Sequence, residues 1–231
     1  MPKDSLDDFK GFFLEGGEII PIENSAKILT VIREHWKAPN KEIYGTLFKL
    51  YMYCLQNALD ATPTAHTYIE EMLLYAELPE QKAHCLLCLG QLKEREGAYK
   101  EALGVYFSAF DLTLERSNEF VRYFLNNNLG YCLNFFGRHT EAEQYCRAAI
   151  ETNPARYNAF KNLGVALQGQ GKYTEAAEAF VRSAQINPWD QRALWLLEEL
   201  LSHEKDNLLN ITYLMDKFKG CRELAEKAVL H

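Results

Sequence analysis

Apolar residues recur along most of this chain with the three-to-four-residue period of an amphipathic helix. Ile43, Leu47, Leu50, Tyr51, Cys54 and Leu55 form one such stripe, which predicts a helix over 42–59. Residues 26–36 read as an earlier helix that Pro39-Asn40 closes. Thr62-Pro63 opens another, over 64–78, with Tyr68, Met72, Leu73 and Tyr75 on its apolar side, since proline suits a first helical turn. Farther on, the pattern predicts helices over 156–170, 174–186 and 189–201, then one or two closing helices over 205–218 and 221–230. No strand is predicted.

The helical pattern repeats. Asn128-Leu129-Gly130 returns as Asn162-Leu163-Gly164, at an offset of 34. The same offset relates Gly137 to Gly171, Thr140 to Thr174, Glu141 to Glu175, Ala142 to Ala176 and Pro154 to Pro188. An earlier copy carries Leu89-Gly90, Gly97, Glu101 and Ala102, each at an offset of 40 from its counterpart. Its extra six residues fall after Ala102, and are expected to lengthen the second helix and its exit turn around Leu112 to Glu119.

Each copy reads as two helices with a break between them. Small residues at Gly164 and Ala176 let the helix axes approach. Gly171 can take the left-handed conformation that ends a helix. Thr140 is expected to cap the second helix, with Glu143 completing a capping box. Phe160, Tyr173 and Phe180 are expected to fill the space between helices and between repeats.

This pattern resembles the tetratricopeptide repeat, a 34-residue helical hairpin. The third copy carries Phe160, Leu163, Gly164, Tyr173, Ala176, Phe180 and Pro188 at the repeat's marker positions, and Ser183 where the family usually has alanine. The second copy has Asn126 in place of the leading aromatic, and Cys146 in place of Phe180. The resemblance covers residues 80–190. It implies an all-α, right-handed α-solenoid of antiparallel helical hairpins with degenerate helical caps at both ends. Residues 1–24 would form an arm, 25–79 a cap or a worn repeat with Gly45 in the role of Gly90, 80–190 three repeats, and 191–231 the closing helices. Glu198 falls where a fourth glycine would stand, so any fourth repeat is degenerate.

The resemblance also implies a concave groove lined by the first helix of each repeat. Residues two before and one after the glycine would face it. Asn128 and Asn162 then resemble two rungs of an asparagine ladder for a peptide backbone, since an amide both donates and accepts. Asn127, Tyr131, Asn134, Asn158, Lys161, Val165 and Gln168 are neighbouring groove candidates. The alternative is that these asparagines bond a neighbouring helix. Under the ladder reading, alanine at Asn128 and Asn162 would weaken partner binding and leave melting unchanged. A family clamp for C-terminal carboxylates is disfavoured, because Leu87, Gln91, Asn158 and Asn162 stand where its key residues would be.

Composition narrows the function further. Of the 231 residues 48% are apolar, enough for a continuous interior, and the net charge is −7. An acidic balance argues against nucleic acid and against an anionic membrane surface. No apolar run is long enough to cross a bilayer, and the acidic start Asp4, Asp7, Asp8 lacks the pattern of a secretory signal. A cytoplasmic protein is expected.

Cys54, Cys85, Cys88, Cys132, Cys146 and Cys221 sit in helical stretches and read as core residues. Cys85 and Cys88 form a lone pair without the second pair a structural zinc site needs. His139 occupies a site where other copies have Tyr99 and Tyr173, so packing accounts for it. No metal site, cofactor or catalytic constellation is expected, and the chain does not read as an enzyme.

The leading functional expectation is an interaction module or scaffold that holds a protein or peptide partner in its groove. A secretion or assembly chaperone for one client is the alternative, with homodimerisation through an end helix. An enzyme built on helical repeats is a third class that the residues do not support.

Overall fold

The computed structural model describes residues 22–56, 62–113 and 118–229. All regular structure among them is helical. The chain divides into two compact units, Met1–Glu77 and Leu78–His231.

The first unit holds α1 (Ile22–His35), α2 (Lys41–Gln56) and α3 (Thr62–Tyr75). The apolar stripe on α2 is buried at Ile43, Leu47, Leu50, Tyr51 and Cys54, and α3 buries Tyr68, Ile69, Met72 and Tyr75. Asn40 does more than end a helix. Its side chain accepts from the backbone N–H groups of Glu42 and Ile43 and so caps α2. Arg33 pairs with Glu71, and the Tyr75 hydroxyl donates to the Trp36 carbonyl, which ties α3 to α1 and its exit. Gly45 has open space where a Cβ would be. Among the described residues it makes no close contact of the kind Gly90 makes with Tyr106. Residues 1–21, most of the expected arm, lie outside the described residues.

The second unit is an α-solenoid built from three hairpins. They are α4 (Pro79–Arg95) with α5 (Tyr99–Phe110), α6 (Glu119–Phe135) with α7 (His139–Thr152), and α8 (Tyr157–Gly169) with α9 (Tyr173–Ile186). Helix α10 (Gln191–His203), a short 3₁₀ turn at Lys205–Asn207, and α11 (Ile211–Val229) follow. First helices stack on first helices, α4 on α6 and α6 on α8, and each second helix also meets the next first helix. Helix α11 is one helix that runs through Gly220, and it packs on α9 and α10.

The repeated glycines explain the hairpins. A Cβ on Gly164 would stand 2.5 Å from Phe180 Cδ1, one on Gly130 2.5 Å from the Cys146 sulfur, and one on Gly90 2.7 Å from Tyr106 Cδ1. Each is the point where first and second helix touch. Cys146 can replace an aromatic there because the contact needs a group that fills space, and a buried thiol does so. The turn glycines Gly97, Gly137 and Gly171 have φ of 77°, 71° and 74°. In each turn the glycine N–H and the next N–H bond back to the ending helix, as in Lys172 N to Leu167 O at 3.0 Å. A side chain at such a φ is strained, so the turn selects glycine.

Two expectations need correction. Helix α7 begins at His139 with Arg138 at its N-cap and no side-chain cap. Thr140 is already inside the helix. Glu143 instead accepts from Arg147, Gln170 and Lys172, joining α7 to the turn between α8 and α9. The six extra residues do not lengthen α5, which at 12 residues is shorter than α7 at 14. They enlarge the connection after Phe110 and start α6 a turn earlier than α8 relative to its glycine.

Candidate peptide-binding cleft

Helices α6, α8 and α10 are the first helices of successive units, so their equivalent faces line one surface. Helix α10 packs on α8 less closely than α8 packs on α6. A cleft of about 400 Å³ opens there, lined by Tyr131, Asn134 and Phe135 from α6, Lys161, Asn162 and Val165 from α8, and Arg192, Trp195 and Leu196 from α10. The repeat register accounts for the third set. Arg192, Trp195 and Leu196 stand at the repeat offset of 34 from Asn158, Lys161 and Asn162.

Most of the lining is apolar or aromatic. Phe135 and Trp195 are 58% and 61% exposed, large apolar surfaces left in water. The Tyr99 ring stacks on Phe135 with centroids 4.1 Å apart and meets Tyr131 edge-on at 6.2 Å, which fixes one wall. Burial, with a hydrogen bond to Tyr99, pushes the Tyr131 phenol up to about 12, so it stays neutral.

The charged part is a three-residue cluster. Asp190 caps α10 by accepting from the Arg192 N–H at 3.1 Å. Its Oδ1 also accepts from Arg192 Nε at 2.8 Å, and its Oδ2 accepts from Arg192 Nη2 and Lys161 Nζ, both at 2.9 Å. Burial alone would push this carboxyl up, but the hydrogen bonds from Arg192 and Lys161 outweigh it and hold Asp190 at about 2. Burial lowers the Lys161 ammonium against the opposing pull of Asp190. The asymmetry has a plain cause. The carboxylate has two cations, whereas Lys161 shares its one carboxylate with Arg192. Lys161 also donates to Asn158 Oδ1 at 3.2 Å and lies over the Tyr157 ring.

The candidate residues separate into two groups. Tyr131, Asn134, Lys161, Asn162 and Val165 come together on the cleft. Asn127, Asn128, Asn158 and Gln168 do not line it. Asn127 and Asn128 are buried in a polar chain that crosses repeats. Asn162 Nδ2 donates to Asn127 O and Oδ1 at 3.3 and 3.1 Å, Asn127 donates to Asn128 at 3.0 Å, and Asn128 donates to the Tyr106 hydroxyl at 3.1 Å. Tyr106 in turn donates to Glu94 at 2.7 Å, and the Cys132 thiol donates to the same oxygen at 3.5 Å. Burial raises Glu94, Tyr106 and Cys132 alike. Asn134 donates to the Asn162 carbonyl at 2.8 Å and accepts at 3.1 Å from His139, whose ring fills the space over Gly169.

These bonds change what truncation of the amide row should do. Melting is not expected to stay unchanged, because the amides hold neighbouring helices together. Asn128→Ala removes the acceptor of the buried Asn127 Nδ2 and the donor to the Tyr106 hydroxyl, which keeps only its bond to Glu94, and should cost about 1–3 kcal/mol in urea unfolding. An unaltered unfolding midpoint would show that the chain of bonds does not contribute.

Cys85 and Cys88 are both buried in α4, as core packing requires. Among the described residues no group of three or more histidine, cysteine or acidic side chains could hold a metal ion. Among the same residues no helix is long and apolar enough to cross a membrane.

Comparison with known proteins agrees with this architecture. Several solved structures share the fold. MamA residues 41 to the end from Desulfovibrio magneticus RS-1 superposes with a TM-score of 0.61 at 18% identity, covering 83% of this chain and 98% of that one. BtubC from P. vanneervenii gives 0.60 at 19% identity, covering 78% and 77%. Pseudomonas aeruginosa pilF gives 0.58 at 22%, also covering 78% and 77%. At these identities the likeness shows the fold alone. No curated protein sequence matches. Two family models of the tetratricopeptide repeat match residues 125–156 and 158–187, over the α6–α7 and α8–α9 hairpins, and this chain therefore carries tetratricopeptide repeats there.

Proposed function

We propose that this protein is an interaction module that holds a segment of a partner protein in the cleft between α6, α8 and α10. The observation that carries the reading is the cleft itself. Three successive first helices present Tyr131, Phe135, Val165, Trp195 and Leu196 around one opening, and apolar surface left in water at a concave site is the usual mark of binding. The groups Asp190, Lys161 and Glu94, whose protonation the fold perturbs, are each engaged with partners inside it, which fits a structural part for them.

Affinity capture with the intact protein and with Trp195→Ala tests the reading. Trp195 is mostly exposed, so its loss should leave melting within about 0.5 kcal/mol of the parent. A captured partner should bind the variant at least about tenfold more weakly, since exposed aromatic anchors carry much of an interface's energy. A partner held equally well by both would place its binding surface elsewhere. The chaperone reading stands as the second case, and a client that also pairs two copies of this chain would favour it.

A further inference from the structure

The charges around the cleft say what kind of segment it takes, on the reading that the cleft is the docking site. Its charged lining residues are two cations, Lys161 and Arg192, and no acid. One carboxylate, Asp190, lies beneath them, and both its oxygens are already filled by Arg192 and Lys161 donors. The cluster therefore carries a net positive charge, and it offers an incoming cation no free acceptor. The Arg192 side chain is 69% exposed and that of Asp190 7%, so the cation faces solvent while the anion is sealed below. The Lys161 ammonium lies 5.4 Å over the Tyr157 ring, and the Tyr157 side chain hydrogen-bonds Arg192. Glu199, a turn beyond Trp195 on α10, does not line the opening.

We infer that the cleft reads a partner segment carrying one acidic side chain beside a bulky apolar one. The apolar side chain enters between Phe135, Val165, Trp195 and Leu196. The acid meets Arg192 and Lys161, giving two carboxylates for two cations. A purely apolar occupant would strip water from a net positive cluster without replacing it, and a basic one would add like charge. The chain as a whole is acidic, at −7, so this attraction is local and belongs to the cleft.

A random-peptide library displayed on phage, selected against the full chain, supplies the probes. Enriched peptides should share Asp or Glu within a few positions of Leu, Ile, Met, Phe or Trp. A synthesised winner should lose about tenfold in affinity when its acid is changed to the amide. Arg192→Gln should cost the acidic peptide a similar factor and the amide peptide nothing further. Lys161→Met serves as a second variant, with far-UV circular dichroism showing that each folds. Three results would overturn the inference: no enrichment, winners without a shared acid, or equal losses for acid and amide peptides on Arg192→Gln. The docking reading fails separately, if Trp195→Ala leaves every selected peptide bound as before.

Discussion

Phe180→Ala is expected to lower the unfolding free energy by about 3–5 kcal/mol, among the largest effects of any single substitution here. The ring is fully buried, and it packs with Leu163, Leu167, Ala177, Leu194 and Leu197 in the core shared by α8, α9 and α10. It is also the surface against which Gly164 closes. A methyl on Gly164 would stand 2.5 Å from Phe180 Cδ1, so Gly164→Ala should cost about 1–3 kcal/mol by overpacking. The two losses should not add. With the ring gone, the methyl introduced at position 164 enters the space that the ring left. The double variant should then be more stable than the sum of the singles implies by at least about 1 kcal/mol. Urea unfolding of the four proteins, followed by far-UV circular dichroism, measures the cycle. Strict additivity would mean that helix approach at Gly164 is not what the repeat selects.

Asp190→Ala should have a comparable effect at neutral pH, about 3–5 kcal/mol. Two losses combine. Helix α10 loses its N-cap, and Lys161, whose side chain is only 11% exposed, keeps its charge without its carboxylate. Asp190→Asn separates them, because asparagine caps as well as aspartate does but cannot neutralise Lys161. It should fall between the parent and the alanine variant. The pH dependence follows from the same group. The folded-state carboxyl is held at about 2, below its ordinary 3.8. Its contribution is therefore present above about pH 4 and is lost as pH falls toward 2, amounting to roughly 2 kcal/mol. Glu143 behaves alike. Burial raises it, but hydrogen bonds from Lys172, Gln170 and Arg147 outweigh this and hold it at about 2. The parent should lose stability steeply below pH 4, and Asp190→Asn should show a shallower fall over the same range. An unchanged slope would contradict the assigned role.

The hairpins were legible because glycine and its contact partner are both sequence features. Gly90, Gly130 and Gly164 precede Tyr106, Cys146 and Phe180 at a constant spacing of 16, and the structure puts each pair in contact. The cleft was only half legible. Tyr131, Asn134, Lys161, Asn162 and Val165 follow from the register, whereas Phe135 was not among the candidates, and Arg192, Trp195 and Leu196 were hidden by Glu198 at the fourth glycine position. That glutamate is tolerated because α11 does not close on α10 as the earlier second helices close on theirs. Glu198 stays exposed, with Arg222 of α11 at 3.9 Å. Carrying the repeat offset onward from Asn158 and Lys161 despite the missing glycine would have found the third wall.

The amide row left two readings open in the sequence, a groove-facing ladder or bonds to a neighbouring helix, for a different reason. Helical register puts Asn128 and Asn162 near the groove, but it does not say where an amide's hydrogens go. Tyr106 and Asn127 take them, and only the packed neighbours decide that. Similarly, Thr140 and Glu143 fit a capping motif in sequence, yet the helix starts at His139. Gln170 and Lys172, close in space from another hairpin, compete for the Glu143 carboxylate.

The most direct measurement is site-specific photocrosslinking. A photoreactive phenylalanine derivative placed at position 195, inside the cleft, is compared with the same group at the exposed position 178 on α9, a second helix. With the native partner present, position 195 should crosslink to one continuous segment of it and position 178 should not. The crosslinked segment should contain the acidic and apolar side chains described above. A partner trapped from position 178 and missed from position 195 would contradict the account.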